Sequence, residues 1–314
     1  MKKITGIFIA MTAAIIMSVA AYADDGYFFA ESAMYRDGKL YTNIEGCGDV
    51  SLENAYSFYV TDSYILYVVR NADERTSVLH CCNIDMTNDR IVVNDIWGGE
   101  DAYYYNDAVY YTKSEEETEN IYRVDLNTGE NAEIAEHPNS YGWIEIAGIE
   151  NGCLHYSIND FWTDAFRAYK LNLNNIQDKK LMYYTNKMST YSAFVDNNKL
   201  YINTAEGIKV MDTENGQIVN TLNDNNAVIV GIYNDTVYLS DDYSVWKIGS
   251  DNVLGYMSTN DKLNGEDAVG TGVMQDNIIY FTLNPEDFYG YIPEGKEKAV
   301  CTFDVLTNTW EIFE

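Results

Sequence analysis

The side chains that could build a reactive site in this sequence are 3 histidines, 5 cysteines and 49 acidic residues. His80, His137 and His155 are the only imidazoles, and they lie far apart in the chain. No H-E-x-x-H, phosphate-binding loop, G-x-S-x-G or dinucleotide-binding fingerprint surrounds them. His80 and His155 fall inside strand-like segments, where a histidine satisfied within the core is expected. His137 precedes Pro138 in a loop and is the more exposed of the three, with no second ligand beside it. A glycosidase would need two carboxylates facing each other about 5 to 9.5 Å apart across a sugar, and the abundance of acids singles out no pair. A sialidase would need an arginine cluster and S-x-D-x-G-x-x-W turns; the chain has 6 arginines and none of those turns.

Calcium is the remaining chemistry to weigh, because oxygen-rich loops suit it. "DLNTGE" (125–130), "DTENGQ" (212–217) and "SDDYS" (240–244) are such stretches, but none completes the D-x-[DN]-x-[DN]-G-x5-E pattern, and hairpin turns account better for the first two. Cys47, Cys81, Cys82, Cys153 and Cys301 show no C-x-x-C spacing and are read as small core residues. Cys81 and Cys82 are adjacent, so a strand points them to opposite faces. An odd number in an exported chain leaves at least one free or intermolecular thiol. The expectation is therefore no catalytic residue, no metal site and no cofactor.

What must position any site is a repeat. Aligned on the aromatic of the second strand of each copy, Tyr41, Tyr67, Tyr110, His155, Tyr201, Tyr238 and Tyr280 recur at spacings of 26, 43, 45, 46, 37 and 42. Apart from the first, these match the period of roughly 40 to 45 residues of a propeller blade. Each copy carries short strand signals and no helical periodicity. The third reads "DAYYY", "AVYYTK", "NIYRVDL", "NAEIAE", and the fifth "YSAFV", "KLYIN", "GIKVM", "QIVNTL". Asn/Asp/Gly turns join the first to the second strand and the third to the fourth, because these residues tolerate positive φ and hydrogen-bond their own backbone. A lone sheet cannot bury both faces of "AVYY", whereas radial stacking covers each face with the next blade.

The fold expected is all-β: a β-propeller of four-stranded antiparallel blades. Seven blades are preferred, the first a short one built from "YFFAESAMY", "KLYTN" and "DVSLE", with complete copies from about Asp62 onward; six blades with an added hairpin is the alternative. "VYYT" (109–112) and "IYRVDLN" (121–127) resemble the blades of low-density-lipoprotein-receptor-type YWTD propellers and of secreted bacterial propellers similar to them. "LHYSIN", "VYLSDD" and "IYFTLN" match in part. That resemblance implies a binding or interaction propeller and transfers no catalytic residue, since the matching positions are structural.

Residues 1–23 read as a secretory signal peptide: "MKK", an apolar run, and Ala21-Tyr22-Ala23 before Asp24. An uncleaved membrane anchor is the alternative, and the first cysteine after the run is as late as Cys47, which disfavours a lipoprotein. Residues 24–314 then form a single propeller domain, secreted or held at the cell surface. No later segment is apolar enough to span a bilayer, so no membrane insertion is expected after cleavage. Loss of the signal, with its two lysines and no acid, takes the net charge from −29 to −31. That charge disfavours nucleic acid and anionic membranes and favours solubility. A monomer is expected.

Loop lengths divide the two ends of such a propeller. The short turns share one end. The strand 2–3 loops and blade-to-blade links share the other, including 96–102, 114–120, 136–143, 159–165, 258–267 and 284–298. Binding usually resides on such loops. They carry Trp97, Tyr141, Phe161, Trp162, Phe288, Tyr289 and Tyr291, the ligand-binding residues expected from the sequence, with Asp160, Asp164, Glu286 and Asp287 between them. Trp143 opens a strand and is expected to cap the core. The functional expectation is an extracytoplasmic, non-catalytic propeller that binds a protein or carbohydrate partner through this loop-rich end. Alternatives are a glycan-active hydrolase or lyase using a carboxylate pair at the central mouth, and a structural module of a surface assembly.

Overall fold

A computed structural model of the chain describes residues 25–313, apart from 28, 31–34, 37–38, 45–47, 54, 62, 71–76, 97–101, 115–117, 138–141, 161–162, 187–192, 205, 223–227, 235, 241–243, 248–252, 257–272, 276 and 284–298. The expected signal peptide lies outside these residues. Every regular element described is a β-strand. Two short strands come first, β1 (Asp25–Tyr27) and β2 (Phe29–Ala30). A three-stranded first sheet follows, β3 (Tyr35–Arg36), β4 (Lys39–Ile44) and β5 (Gly48–Glu53). The second sheet contains β6 (Ala55–Val60), β7 (Tyr64–Arg70), β8 (Ser77–Asn83) and β9 (Arg90–Ile96). The third contains β10 (Tyr103–Tyr105), β11 (Ala108–Ser114), β12 (Glu119–Asp125) and β13 (Asn131–His137).

The fourth sheet is β14 (Gly142–Glu150), β15 (Cys153–Asp160), β16 (Ala165–Asn172) and β17 (Lys179–Thr185). The fifth is β18 (Ala193–Asp196), β19 (Lys199–Thr204), β20 (Gly207–Asp212) and β21 (Ile218–Leu222). The sixth is β22 (Val228–Tyr233), β23 (Thr236–Ser240), β24 (Ser244–Lys247) and β25 (Val253–Tyr256). The last is β26 (Val273–Gln275), β27 (Ile278–Leu283), β28 (Ala299–Asp304) and β29 (Thr309–Phe313). All pairings are antiparallel between consecutive strands, except that β1 joins the third sheet beside β10 and β2 joins the second beside β6.

Alternation along each strand produces the stacking. Val109 and Tyr111 of β11 pack against Tyr59, Leu66 and Leu79 of the second sheet. Ala108 and Tyr110, one residue out of phase, pack against Ile144, Leu154 and Tyr156 of the fourth. Further cores join the fourth sheet to the fifth, the fifth to the sixth and the sixth to the last. Full burial of one such aliphatic or aromatic side chain contributes about 1.5–3 kcal/mol. The first strands of neighbouring sheets lie side by side (β10 with β14, β14 with β18, β18 with β22, β22 with β26), so these strands line the centre of the stack.

The turns follow their chemistry. Asn106–Asp107 and Asn197–Asn198 each hold two consecutive positive φ values, 50° and 55°, then 49° and 59°, as the tight hairpin connection requires. Between third and fourth strands, one carboxylate oxygen accepts from two backbone N–H groups. Asp125 takes those of Asn127 and Thr128, Asp212 those of Glu214 and Asn215, and Asp304 those of Leu306 and Thr307. The oxygen-rich loops at 125–130 and 212–217 are thus turns stabilised by their own aspartate.

Three expectations need correction. The boundary between the first two sheets falls at residue 54 rather than 62, because "AYSFYV" supplies the first strand of the second sheet. "YFFAESAMY" is not one strand of the first sheet: only Tyr35–Arg36 pairs there, and the residues before it serve the second and third sheets. Cys153 is only half-buried, whereas Cys81, Cys82 and Cys301 are buried free thiols. Cys81 and Cys82 do face opposite cores.

Candidate functional site

Register places the ends of several strands together where the long loops begin and end. In the third sheet Ser114 pairs Glu119 and Glu119 pairs His137; in the fourth, Gly142 pairs Asp160 and Asp160 pairs Ala165. The segments 115–117, 138–141 and 161–162 therefore connect strand ends on one side of these two sheets. The sheets are tied at that end by Glu119, whose Oε2 accepts from the Ile144 backbone N–H at 2.7 Å. Gly142 is required here: a Cβ would run into the Asn159 carbonyl oxygen and stand 3.1 Å from His137 Nε2.

Asp160, 5% exposed, is the centre of the arrangement. Its Oδ1 accepts from the Thr163 N–H at 3.1 Å, and its Oδ2 from the Thr163 hydroxyl at 2.6 Å and Arg167 Nη1 at 3.3 Å. Burial pushes this carboxyl up, but the Thr163 and Arg167 hydrogen bonds outweigh it and hold it below the usual carboxylate range. Arg167 in turn lies over the Tyr184 ring, 5.6 Å from its centroid, an attraction between a cation and the ring quadrupole. Tyr184 is 54% exposed and Trp143, at the same end of the sheet, 37%. The fourth sheet thus presents two accessible aromatic rings around a fixed Asp–Arg pair.

Buried polar atoms without a hydrogen-bond partner among the described residues gather around this end: Asn120 Oδ1, His137 Nε2 and both amide atoms of Asn159. Burial holds His137 below its ordinary pKa, with Asp160 opposing and Arg167 reinforcing the shift. Deeper in β15, burial and the Lys170 ammonium hold His155 at about 4, so both imidazoles are neutral at pH 7. Among the described residues no group of three or more His, Cys, Asp and Glu side chains gathers to hold a metal ion.

Trp97, Tyr141, Phe161, Trp162, Phe288, Tyr289 and Tyr291 all lie outside the described residues; Tyr141, Phe161 and Trp162 fall in the segments that the strand ends above enclose in sequence. Arg167, Tyr184 and His137 were not chosen from the sequence. Arg167 carried a usable signal, as one of few arginines and close after an acidic aromatic loop; Tyr184, in an ordinary strand, carried none. His137 is not the exposed loop histidine expected: it ends β13 and is 5% exposed, because β14 packs over it. His80 is not enclosed in core either. It is half-buried, stacks on Tyr67 at 4.9 Å and meets the Asp89 carboxylate at 3.2 Å. Trp143 opens β14 as expected, but its exposure shows that it does not cap the core.

No protein-family model matches the chain, and no curated protein matches it in sequence. Among solved structures it is similar to a prolyl endopeptidase, with a TM-score of 0.56 and 11% identity over 91% of this chain and 50% of that one. It is similar to the β-propeller domain of the Trilobed protease from Pyrococcus furiosus, which has an open velcro topology, with a TM-score of 0.54 and 12% identity over 82% of each chain. It is also similar to the computationally designed Ika8 protein, with a TM-score of 0.51 and 11% identity over 90% and 85%. This chain spans half the length of the endopeptidase chain. At these identities the likeness concerns fold alone. The fold is a β-propeller of antiparallel, mainly four-stranded blades.

Proposed function

We propose that this chain is an extracytoplasmic, monomeric propeller of seven blades that binds a carbohydrate, without catalysis, at the loop-bearing end of its fourth sheet. The observation that carries the reading is the Asp160–Arg167–Tyr184 arrangement beside exposed Trp143. Flat aromatic rings offer apolar area to a sugar face at low entropic cost, and a fixed acid–guanidinium pair presents acceptors and donors to its hydroxyls. The mixed donor and acceptor atoms of Asn120, His137 and Asn159 beneath it suit hydroxyl or water partners in the same way. Trp97, Tyr141, Phe161, Trp162, Phe288, Tyr289 and Tyr291 extend the surface in this proposal. The signal-like residues 1–23 support export, and the YWTD-like blade motifs support a binding role.

The test is affinity for a panel of soluble polysaccharides, measured with the chain and with Trp162→Ala, Tyr184→Ala and Tyr289→Ala. Each contact is expected to contribute about 1–2 kcal/mol, with thermal stability nearly unchanged and little dependence on salt. Binding only to basic proteins, and weakening with ionic strength, would instead establish a protein partner. Hydrolysis of a bound polysaccharide, abolished by one acid-to-amide change, would end the non-catalytic reading.

A further inference from the structure

The N-terminal strands take an unusual route. β1 runs antiparallel to β10, with Asp25 opposite Tyr105, Gly26 opposite Tyr104 and Tyr27 opposite Tyr103. β2 then pairs with β6, Phe29 opposite Phe58 and Ala30 opposite Ser57. β6 and β10 are the first strands of their sheets, and first strands line the centre of the propeller. β1 also lies beside β14, the next first strand around the axis. Meanwhile the last sheet is complete from C-terminal residues alone, β26 to β29. The N-terminal segment is therefore not spent on that sheet. It occupies inward-facing backbone edges of two neighbouring blades.

We infer that the inner edges of β6 and β10 form a β-strand acceptor, and that residues 25–30 are a displaceable strap seated on it, competing with an extended peptide segment of a partner. An unpaired strand edge offers a row of N–H and C=O groups to any chain that can lie alongside it. Recognition by strand addition takes affinity from those main-chain bonds. The strap pairs through five residues divided between two sheets. Each hold is short, so a continuous strand from a partner can replace the strap one sheet at a time. This inference is independent of the carbohydrate surface, which lies on strand ends and loops rather than on the channel edges.

The experiment uses the chain from Asp24 and a fluorescent synthetic peptide with the sequence of residues 24–34. Three proteins are compared: the unaltered chain, Gly26→Pro, and Asp25→Cys/Tyr105→Cys after oxidation. Proline removes an N–H and weakens the strap. Cα atoms directly opposite in an antiparallel pair are about 4.5–5.5 Å apart, within disulfide reach. The peptide should bind Gly26→Pro about tenfold more tightly than the unaltered chain, since apparent affinity scales with the fraction of open edge. It should not bind the oxidised pair. Should Gly26→Pro unfold the chain, the oxidised pair against the unaltered chain decides: uptake by the unaltered chain alone supports the acceptor. Equal uptake by both, uptake by neither, or failure of the cysteines to join in the folded protein overturns it.

Discussion

Glu119 offers the sharpest test of how adjacent blades are held together. Its carboxylate is 8% exposed and accepts from the N–H of Ile144, a residue 1% exposed on the next sheet. Glu119→Ala removes the acceptor and leaves a buried amide without it. A hydrogen bond to a charged group contributes about 1.5–3 kcal/mol, and an orphaned buried donor costs a similar amount. The expected loss is therefore about 2–3 kcal/mol. Glu119→Gln keeps an oxygen in place but not the charge, and neutral hydrogen bonds are about half as strong, so about 1 kcal/mol should be lost. At roughly 2 °C per kcal/mol for a chain of this size, alanine should lower Tm by about 5 °C and glutamine by about 2 °C. Urea unfolding of the three proteins, read by tyrosine fluorescence and by circular dichroism, measures both. A loss below about 0.5 kcal/mol for alanine would refute the reasoning, because the bond would then be replaced by water at no cost. Equal losses for alanine and glutamine would show that charge, not the acceptor, matters.

Two further outcomes follow from buried polar groups. His155 titrates at about 4 when folded against 6.5 in the unfolded chain, so the unfolded chain takes up the proton first as pH falls. Its contribution is complete above pH 6.5 and declines toward pH 4, by about 2 kcal/mol at pH 5; His155→Gln should flatten the stability difference between pH 7 and 5, and identical slopes would contradict this assignment. The Tyr156 hydroxyl is buried without a partner among the described residues, so Tyr156→Phe should change stability by no more than about 0.5 kcal/mol, or raise it; a loss of about 2 kcal/mol in denaturant titration would reveal a hydrogen bond to that hydroxyl.

The repeat was legible because it is written locally. Tyr41, Tyr67, Tyr110, His155, Tyr201, Tyr238 and Tyr280 each fall on the second strand of successive sheets, and the Asp-led turns sit where their spacing put them. Alternation of side chains and the chemistry of positive φ act over a few residues, so a single sequence displays them. The route of β1 and β2 was not legible, since pairing through backbone edges leaves no pattern in side chains. His137 was misjudged for a related reason: its burial depends on β14 crossing over β13, a contact set by packing between blades. Arg167 and Tyr184 meet because β16 pairs β17 in one register, and neither residue alone announces a site.

The pairing pattern also sets an order of events during folding. Within every blade the strands bond to chain neighbours, so each hairpin can close soon after it is made. Only β1 and β2 must wait for distant partners, Asp25 for Tyr105 and Phe29 for Phe58. Closing a longer loop carries a larger entropic cost before any contact rewards it. The part of the propeller made first is thus the part that docks late, after its second and third blades exist. Until then two central edges stand open, and a chain emerging from a membrane pore is most exposed to strand-to-strand association during that interval.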